Sequence, residues 1–283
     1  MKVALTGATG FVGGHVLREL LQRGDVEIVA TARSAEAAAK LPAGVAVVPV
    51  DLAAVDDAAI ERLAGVDVLI HLAWGGLPNY LSRHHFEVEL PRHYAFLERL
   101  VRAGLPAMVV TGTCYEYGMV DGQLSEDRPG WPDNPYAFAK ASLQRQLAFL
   151  QRDASFALCW ARLFYMYGEG QAATSLYAQL QAALQRGDER FAMSGGQQLR
   201  DFLPVREVAR AIVGLALLRA DTGIVNVCSG RPIAIRALVE QWMDEAGQRM
   251  ELDLGRYPYP GYEPLAFWGS SAKRERLLAG ADR

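Results

Sequence analysis

Cysteine, excess basic charge and long apolar runs are all scarce in this 283-residue sequence. Its three cysteines are an odd number without metal-like spacing, which predicts reduced, buried thiols and no metal site. The formal net charge of -3 leaves no basic excess to neutralise nucleic-acid phosphates. No apolar stretch reaches the ~18 residues of a membrane-spanning helix, and the N-terminal apolar run is too short for a signal peptide. We therefore expect a cytoplasmic protein that binds neither nucleic acid nor membrane.

Short apolar runs alternate with longer amphipathic stretches through the first half of the chain. The runs predict strands at 3–6, 27–31, 45–50, 66–72, 107–113 and 155–162. The stretches between them predict helices at 11–23, 35–40, 56–63, 84–103 and 135–152. Strict alternation predicts an α/β fold with a doubly wound parallel Rossmann sheet, because parallel strands need crossover connections. Ligands of such sheets bind beyond the carboxyl ends of the strands.

The pattern loosens after about residue 163. Helices are predicted at 174–186, 205–219, 234–246 and 271–278, with a strand at 224–227 and a loop at 254–264. No linker or repeat separates the two halves. We therefore expect a Rossmann domain at 1–163 and a smaller C-terminal α/β lobe at 164–283, packed on it and with segments that interleave.

A glycine-rich segment, TGATGFVG, follows the first predicted strand and opens the first helix. Gly7 permits a tight turn, Gly10 lets the backbone approach a pyrophosphate, and Gly13 lets helix and strand pack closely. The helix N-terminus then offers N–H groups and a positive dipole end to the anion. Three glycines alone are a weak signal, but their position between strand and helix predicts a dinucleotide site.

The residue after the second strand indicates which dinucleotide is bound. An NAD site usually has a carboxylate there for the ribose hydroxyls, whereas this strand is followed by Arg33. A guanidinium suits a 2′-phosphate, so we predict a preference for NADP(H), with NAD(H) possible. Asp51, after the third strand, is interpreted either as a partner of the adenine amino group or as a helix cap. His71, in the fourth strand, is interpreted as a structural histidine.

Tyr136 and Lys140, in NPYAFAK, lie four residues apart and so share one face of the predicted helix. Asn134 and Pro135 suit its N-cap and first turn. A free tyrosine is a poor acid or base at neutral pH. A nearby ammonium, together with an oxidised nicotinamide, would pull its pKa toward the working range, so we predict that Tyr136 exchanges a proton with a substrate oxygen.

Taken together, TGATGFVG, HLAW, a strand-end threonine before YEYG, and NPYAFAK resemble the extended short-chain dehydrogenase/reductase family. This family is also called the NAD-dependent epimerase/dehydratase family. The resemblance continues through ARLFYMYGEG and LRDFLPVREVARAI, so it covers nearly the whole chain. It implies a nucleotide-sugar substrate and a catalytic set of Thr113, Tyr136 and Lys140. It also implies a homodimer through the helices at 84–103 and 135–152.

The resemblance and the loop together define the expected site. The predicted cofactor contacts are Gly7, Thr9, Gly10, Phe11, Val12, Gly13, Arg33, Asp51, Leu52, Leu72, Ala73, Trp74, Tyr136 and Lys140. The predicted substrate contacts are Thr113, Cys114, Tyr115, Tyr165 and Arg200. The last of these stands where the family often places an arginine that meets the sugar diphosphate; a surface arginine is the alternative.

Several positions depart from the family pattern. Dehydratases of the family place Asp-Glu directly after the threonine, where this chain has Cys114 and Tyr115. The fucose-forming enzymes place a catalytic cysteine two residues after the threonine, where this chain has Tyr115, so Cys114 lies one position too early. Glu89 stands where many members have an asparagine, and Tyr165 replaces another asparagine. We therefore expect a ketoreductase acting on a nucleotide-linked 4-keto-6-deoxyhexose, similar to deoxytalose-type enzymes of surface-polysaccharide pathways. The alternatives are a 4-epimerase with tightly bound NAD and a non-catalytic dinucleotide sensor.

Overall fold

A seven-stranded parallel sheet forms the centre of the molecule in the computed structural model, which describes residues 1–259, 261 and 263–280. With strands numbered along the chain, its spatial order is β11-β7-β5-β4-β1-β2-β3. The strands are β1 (Lys2–Thr6), β2 (Glu27–Ala32), β3 (Ala46–Pro49), β4 (Val68–His71), β5 (Ala107–Thr113), β7 (Ala157–Leu163) and β11 (Gly223–Val227). Every neighbouring pair is parallel, as predicted.

Helices cover both faces of this sheet, because its strands are apolar on both sides. They are α1 (Phe11–Arg23), α2 (Ala35–Ala38), α3 (Asp57–Ala64), α4 (Leu90–Arg102), α5 (Pro135–Leu150) and α7 (Val205–Leu218). Side chains of α1 and α7 share one apolar cluster with the sheet, and those of α3, α4 and α5 share the other. The doubly wound Rossmann architecture expected from the sequence is confirmed.

The helix predicted at 84–103 begins differently from the prediction. Its first turn is a π-helical segment, His85–Glu89, in which the N–H of Leu90 bonds to the carbonyl of His85. α4 follows, with Pro91 in its first turn. Proline has no N–H and cannot continue an ordinary i→i−4 ladder, which accounts for the wider turn. The segment shifts the side chains of Glu89 and His93 toward the end of β4.

Short strands and two further helices form a smaller lobe. Its elements are β6 (Gly122–Leu124), β8 (Tyr165–Tyr167), α6 (Leu176–Arg186), β9 (Arg190–Ala192), β10 (Leu199–Pro204), β12 (Pro232–Ala234), α8 (Ile235–Glu245), β13 (Glu251–Asp253) and β14 (Phe267–Gly269). They pair as β12-β10-β8, β13-β9 and β14-β6. A last helix, α9 (Ala272–Leu278), packs near α7 and β11.

The two regions exchange segments along the chain. β11 and α7 follow residue 163 but belong to the large sheet and its helical layer. β6 precedes that residue but pairs with β14 of the lobe. No single cut between 163 and 164 therefore separates the elements, and the domain boundary stays a prediction. Across residues 1–259, 261 and 263–280, no helix is both long and apolar enough to span a membrane.

Candidate functional site

The glycine-rich loop links β1 to α1 and leaves the helix N-terminus open. Gly7 has φ +73° and Gly10 is the N-cap, without a side-chain cap. A β-carbon on Gly13 would overlap the carbonyl group of Gly7, and one on Gly7 would lie 2.9 Å from the amide nitrogen of Ala73. The glycines therefore let loop, helix and β4 approach one another, as a dinucleotide pyrophosphate requires. Thr9, exposed, and Phe11 and Val12, half-buried, complete the loop.

The end of β4 is tied to this loop by Thr6. The Thr6 hydroxyl oxygen accepts the N–H groups of Leu72 and Ala73, each at 3.2 Å. Its proton is then available to Nδ1 of His71, 2.9 Å away. His71 is 1% exposed and bonded on both ring nitrogens. Its structural interpretation fits these contacts.

The ends of β2 and β3 carry the residues predicted to meet the adenosine half. Arg33 directly follows β2 and is exposed. Asp51 is also exposed, and its carboxylate accepts the N–H of Ala53 at 3.0 Å. Asp51 therefore caps a turn, whereas the N-cap of α3 is Asp56. Leu52, in that turn, is half-buried.

Thr113, Tyr136 and Lys140 line one cavity of about 320 Å³ at the carboxyl ends of β4 and β5. Asn134 caps α5 by accepting the N–H of Ala137, which fixes the helix start and sets Tyr136 in its first turn. Phe11, Val12, Leu72 and Trp74 line the same cavity. The loop and the proton-handling residues thus meet at one place, although they are more than 100 residues apart in sequence.

Lys140 is held by two contacts inside the cavity wall. Its ammonium donates to the carbonyl oxygen of Thr111 at 2.9 Å. It also lies 3.9 Å from the ring centre of Trp74 and 6.0 Å from that of Tyr136. Burial lowers the pKa of Lys140 to about 7, against the opposing effect of the carboxylates of Glu116 and Glu89. The charge of this side chain is thus finely balanced near neutral pH.

Tyr136 has the opposite electrostatic setting from the one expected. Burial raises the pKa of its phenol, and Tyr80, Glu116 and Cys114 raise it further. The protein groups alone therefore keep Tyr136 protonated. A phenol in this state is suited to donate its proton to a carbonyl oxygen, which is the reductive direction.

Thr113 ends β5 and caps the short 3₁₀ helix Cys114–Tyr117. Its hydroxyl accepts the N–H of Tyr115, and its own N–H donates to the carboxylate of Glu116 at 2.8 Å. That carboxylate also accepts from Trp160 and from Arg162, both on β7. Glu116 is fully buried, and its bond to the Thr113 N–H holds the backbone of the threonine in place. Sequence reasoning missed it, although a glutamate three residues after a threonine is a capping-box signal.

Cys114, Tyr115 and Tyr165, predicted to meet the substrate, form one wall of the cavity with Thr113. The Tyr115 hydroxyl donates to Glu263 at 2.6 Å and lies 3.2 Å from the hydroxyl of Tyr165. Burial raises the pKa values of the Cys114 thiol and of both tyrosines. These groups remain neutral at ordinary pH and offer hydroxyl hydrogen bonds rather than charge.

Arg200 lies behind this wall. Its guanidinium donates to Glu263 at 2.8 Å and to the carbonyls of Leu199 and Leu265, and it packs 4.6 Å from the ring centre of Phe267. It is 1% exposed, so the surface alternative is wrong. The structure does not bring it into the cavity, and its role toward a diphosphate stays a prediction. Glu263 was missed because it lies in a proline- and glycine-rich loop with no periodic signal.

Comparisons of the sequence and of the structure relate this chain to known proteins. The sequence model of the NAD dependent epimerase/dehydratase family matches residues 3–228. Among curated proteins, the chain is 27% identical over 272 residues to dTDP-6-deoxy-L-talose 4-dehydrogenase (NAD(+)) of Aggregatibacter actinomycetemcomitans, covering 95% of this chain and 100% of the relative. It is 28% identical to dTDP-6-deoxy-L-talose 4-dehydrogenase (NAD(P)(+)) of Kitasatospora kifunensis, covering 89% of this chain and 81% of that one.

Among solved structures, the chain is similar to MoeE5 in complex with UDP-glucose and NAD. The TM-score is 0.82 at 27% identity, with 99% of this chain and 92% of MoeE5 covered. The likeness therefore extends over both the large sheet and the smaller lobe.

Proposed function

The chain belongs to the NAD-dependent epimerase/dehydratase family of extended short-chain dehydrogenases/reductases, and from this premise we propose that it is a sugar-nucleotide 4-ketoreductase. It would transfer hydride between NAD(P)(H) and carbon 4 of a nucleotide-linked 4-keto-6-deoxyhexose. One observation carries the proposal: the cavity that contains Thr113, Tyr136 and Lys140 also contains the dinucleotide loop. The names of the two curated relatives support the same reaction.

The wall next to Thr113 favours simple hydride transfer over elimination. A dehydratase needs a further acid and base, and this wall offers Cys114 and Tyr115 instead. Burial raises the pKa of each, so neither gives up a proton at neutral pH. Glu263 accepts the hydroxyl proton of Tyr115 on one carboxylate oxygen and is ion-paired with Arg200 through the other. These residues support a neutral hydrogen-bonding surface for a sugar.

The proton chemistry follows from the positions of three side chains. Tyr136 donates its phenolic proton to the ketone oxygen in reduction and takes it back in oxidation. Thr113 presents its hydroxyl to the same oxygen, since both residues line the cavity. Lys140, held by Thr111 and Trp74, presents an ammonium beside the phenol. Gly7, Gly10, Gly13 and the start of α1 would hold the pyrophosphate of a bound dinucleotide, whose nicotinamide would supply the hydride in reduction and accept it in oxidation.

We also propose a preference for NADP(H). Arg33 is exposed at the end of β2, where a guanidinium can bond a 2′-phosphate bidentately. The relatives are named for NAD(+) and for NAD(P)(+), so the family tolerates both. Comparing kcat/KM for NADPH and NADH in the wild type and in Arg33→Ser tests it. A ratio that the substitution leaves unchanged would contradict the assignment.

Purified protein incubated with a dTDP-linked or UDP-linked 4-keto-6-deoxyhexose and NADPH tests the reaction. Loss of absorbance at the reduced-nicotinamide band, with one carbinol formed per NADPH oxidised, is the expected result. Turnover of free ketones but of no nucleotide-linked ketosugar would overturn the proposal.

A 4-epimerase is the second candidate, favoured by the likeness to UDP-glucose 4-epimerase of Azospirillum brasilense, to which the chain is 27% identical over 307 residues. It predicts dinucleotide that copurifies with the protein and sugar interconversion without net change in the cofactor. Cofactor-free protein that consumes added NADPH excludes it. A dinucleotide sensor would instead keep its biological activity when Tyr136 is replaced by phenylalanine.

We further propose a homodimer through α4 and α5, and a two-lobed organisation with the substrate bound between the lobes. Phe138 and Phe149 on α5 are 50% and 46% exposed, more than large apolar side chains usually are. Light scattering coupled to gel filtration should give twice the chain mass. Replacing both phenylalanines by glutamate should give the monomer.

A further inference from the structure

Three of the five histidines in the sequence contact the carboxylate of Glu89 or the indole of Trp74, and a fourth, His71, bonds one of those three. His93 donates from Nε2 to Glu89 at 3.1 Å, and His84 lies 2.9 Å from the other carboxylate oxygen. The N–H of Gly75 completes the set at 2.9 Å. Glu89 is 8% exposed, and the proposed reaction assigns no role to it or to the histidines. The cluster adjoins Lys140, to which the proposed reaction does assign a role.

The hydrogen bonds of this cluster run in one direction. Glu89 only accepts, because its hydrogen bonds, the one from His93 first, lower its pKa to about 2 against the opposing effect of burial, so Nε2 of His93 carries the proton. Burial lowers the pKa of His93, which is therefore neutral, so its Nδ1 accepts from Nε2 of His71 at 2.7 Å. Nδ1 of His71 in turn accepts the Thr6 hydroxyl. Every donor thus points toward Glu89.

A second path leads from Glu89 to the lysine through stacked rings. The imidazole of His93 lies 4.4 Å from the indole of Trp74, centre to centre, at an interplanar angle of 19°. The ammonium of Lys140 lies 3.9 Å from the same indole. A hydrogen bond at its edge holds the indole in place: its N–H donates to His85 at 3.1 Å, and His85 in turn donates to the carbonyl of Asn79. The carboxylate of Glu89 thus bonds the imidazole at its edge, the imidazole stacks on the indole, and the indole contacts the ammonium.

We propose that Glu89 is a positioning residue for Lys140: acting through His93 and Trp74, its carboxylate is a second counter-charge, besides Glu116, that favours the lysine as an ammonium over the indole face. This deepens the proposed function, since it assigns how the lysine beside Tyr136 is kept charged. An indole binds a cation through its ring face, and a carboxylate-bonded imidazole behind it makes that face more negative.

The other groups facing Lys140 do not replace this role. Glu116, on the 3₁₀ helix, also raises the pKa of Lys140, and more than Glu89 does, but its carboxylate is already ion-paired with Arg162 at 2.8 Å. Three neutral histidines also face the lysine: His71 on β4, His85 on the π-helical segment and His93 on α4. They are neutral because burial lowers their pKa values. Tyr136, on the lysine's own helix, is protonated, and β5 contributes the carbonyl of Thr111.

The titration of Lys140 in the protein without cofactor or substrate tests the proposal directly. The sequence has four lysines, so lysine labelled with ¹³C at the ε-carbon gives four NMR signals, and Lys140→Met assigns one of them. Its wild-type midpoint is expected near pH 7. Glu89→Gln keeps the shape and one oxygen that can accept from His93 and Gly75 but removes the charge, and should lower the midpoint by roughly half a pH unit or more. Glu89→Asp, which keeps a carboxylate, should restore part of the shift.

Glu87→Gln is the matched control, because Glu87 lies on the same π-helical segment but pairs with Arg83 at the surface. It should leave the midpoint unchanged. A folded Glu89→Gln protein, judged by circular dichroism, with the wild-type midpoint would overturn the proposal. If Glu89→Gln does not fold, Trp74→Phe decides: an unchanged midpoint there also overturns it.

The activity readout separates this inference from the proposed reaction. If the ketoreductase assignment holds, the fall of kcat/KM on the alkaline side moves to lower pH in Glu89→Gln by the same amount as the NMR midpoint. If no ketosugar is turned over, the proposed function is wrong, while the lysine titration still tests the role of Glu89 independently.

Discussion

Lys140 places an amine in the cavity wall with only 2% of its surface exposed, so its charge is linked to folding. Its pKa falls from 10.5 to about 7, and between these values the unfolded chain binds a proton that the folded chain lacks. Wild-type stability therefore rises with pH across this window, and the penalty is complete below about pH 7. Lys140→Met should thus be more stable than the wild type at pH 7, with the advantage shrinking by roughly 2 kcal/mol by pH 9.

Urea unfolding at several pH values between 6 and 9 measures this difference. Lys2→Met is a suitable control, since Lys2 is partly exposed and pairs with Glu27 at the surface. A constant difference between Lys140→Met and the wild type over this range would contradict a depressed lysine pKa.

Tyr136 is the residue whose hydroxyl should matter most for rate and least for cofactor affinity. Tyr136→Phe keeps the ring contacts with Trp74, Tyr80 and His85 and removes only the acid. We expect kcat to fall by about 10²- to 10⁴-fold, with the dissociation constant for NADPH nearly unchanged. Steady-state kinetics and fluorescence titration provide the two measurements. Tyr94→Phe, which removes a hydroxyl from α4 outside the cavity, should leave both values as in the wild type.

At the scale of elements, Gly13 is where the dinucleotide loop tolerates no side chain. Gly13→Ala forces a methyl group against the Gly7 carbonyl, so we expect NADPH binding to weaken by at least about tenfold. Gly14→Ala is the matched control, because its β-carbon would meet nothing closer than 3.9 Å and alanine favours a helix interior. It should raise the thermal midpoint slightly and leave binding intact. Equal affinity in the two variants would show that the loop relaxes.

The elements that the sequence predicted are those whose burial is periodic. All six early strands and the main helices could be located because each packs an apolar face over several turns or residues. Most of the strands that were missed, such as β9 and β13, have three residues each and pair only with strands distant in sequence; β10, with six residues, was missed as well. A run of three residues carries no period, and its pairing is decided by tertiary contacts.

The candidate site was predictable where a residue acts through local geometry. Asn134, Pro135 and Tyr136 could be placed because capping and the helix start are local. Glu263 could not be placed, since its partner is an arginine 63 residues away. Glu89 bonds His84 and His93, which are near in sequence, but its place beside Gly75 and Trp74 depends on the tertiary contact of the π-helical segment with the end of β4. Arg200 shows the same limit, because its residue type was noticed but its burial depends on a distant loop.

At the scale of the whole molecule, the lobe and the sheet share polar as well as apolar connections. Asp201, on β10 and 0% exposed, accepts N–H groups from Ser229, Gly230 and Gly269 at 2.6, 2.9 and 3.2 Å. These contacts join β10 to the segment that leaves β11 and to β14. Because β11 is the edge strand of the large sheet, these hydrogen bonds connect the lobe to that edge.

The interleaved chain therefore predicts one cooperative unfolding unit rather than two. A fragment of residues 1–163 would lack β11, which pairs with β7, and α7, which packs on α1. α7 alone buries eight residues, and losing even four large apolar side chains at about 1.5–3 kcal/mol each approaches the 5–15 kcal/mol that stabilises a typical domain. We expect the fragment to lack a cooperative thermal transition, and the full chain to unfold in urea with coincident fluorescence and circular dichroism curves. A folded fragment, or two separated transitions in the full chain, would mean that the Rossmann part is stable without α7 and β11.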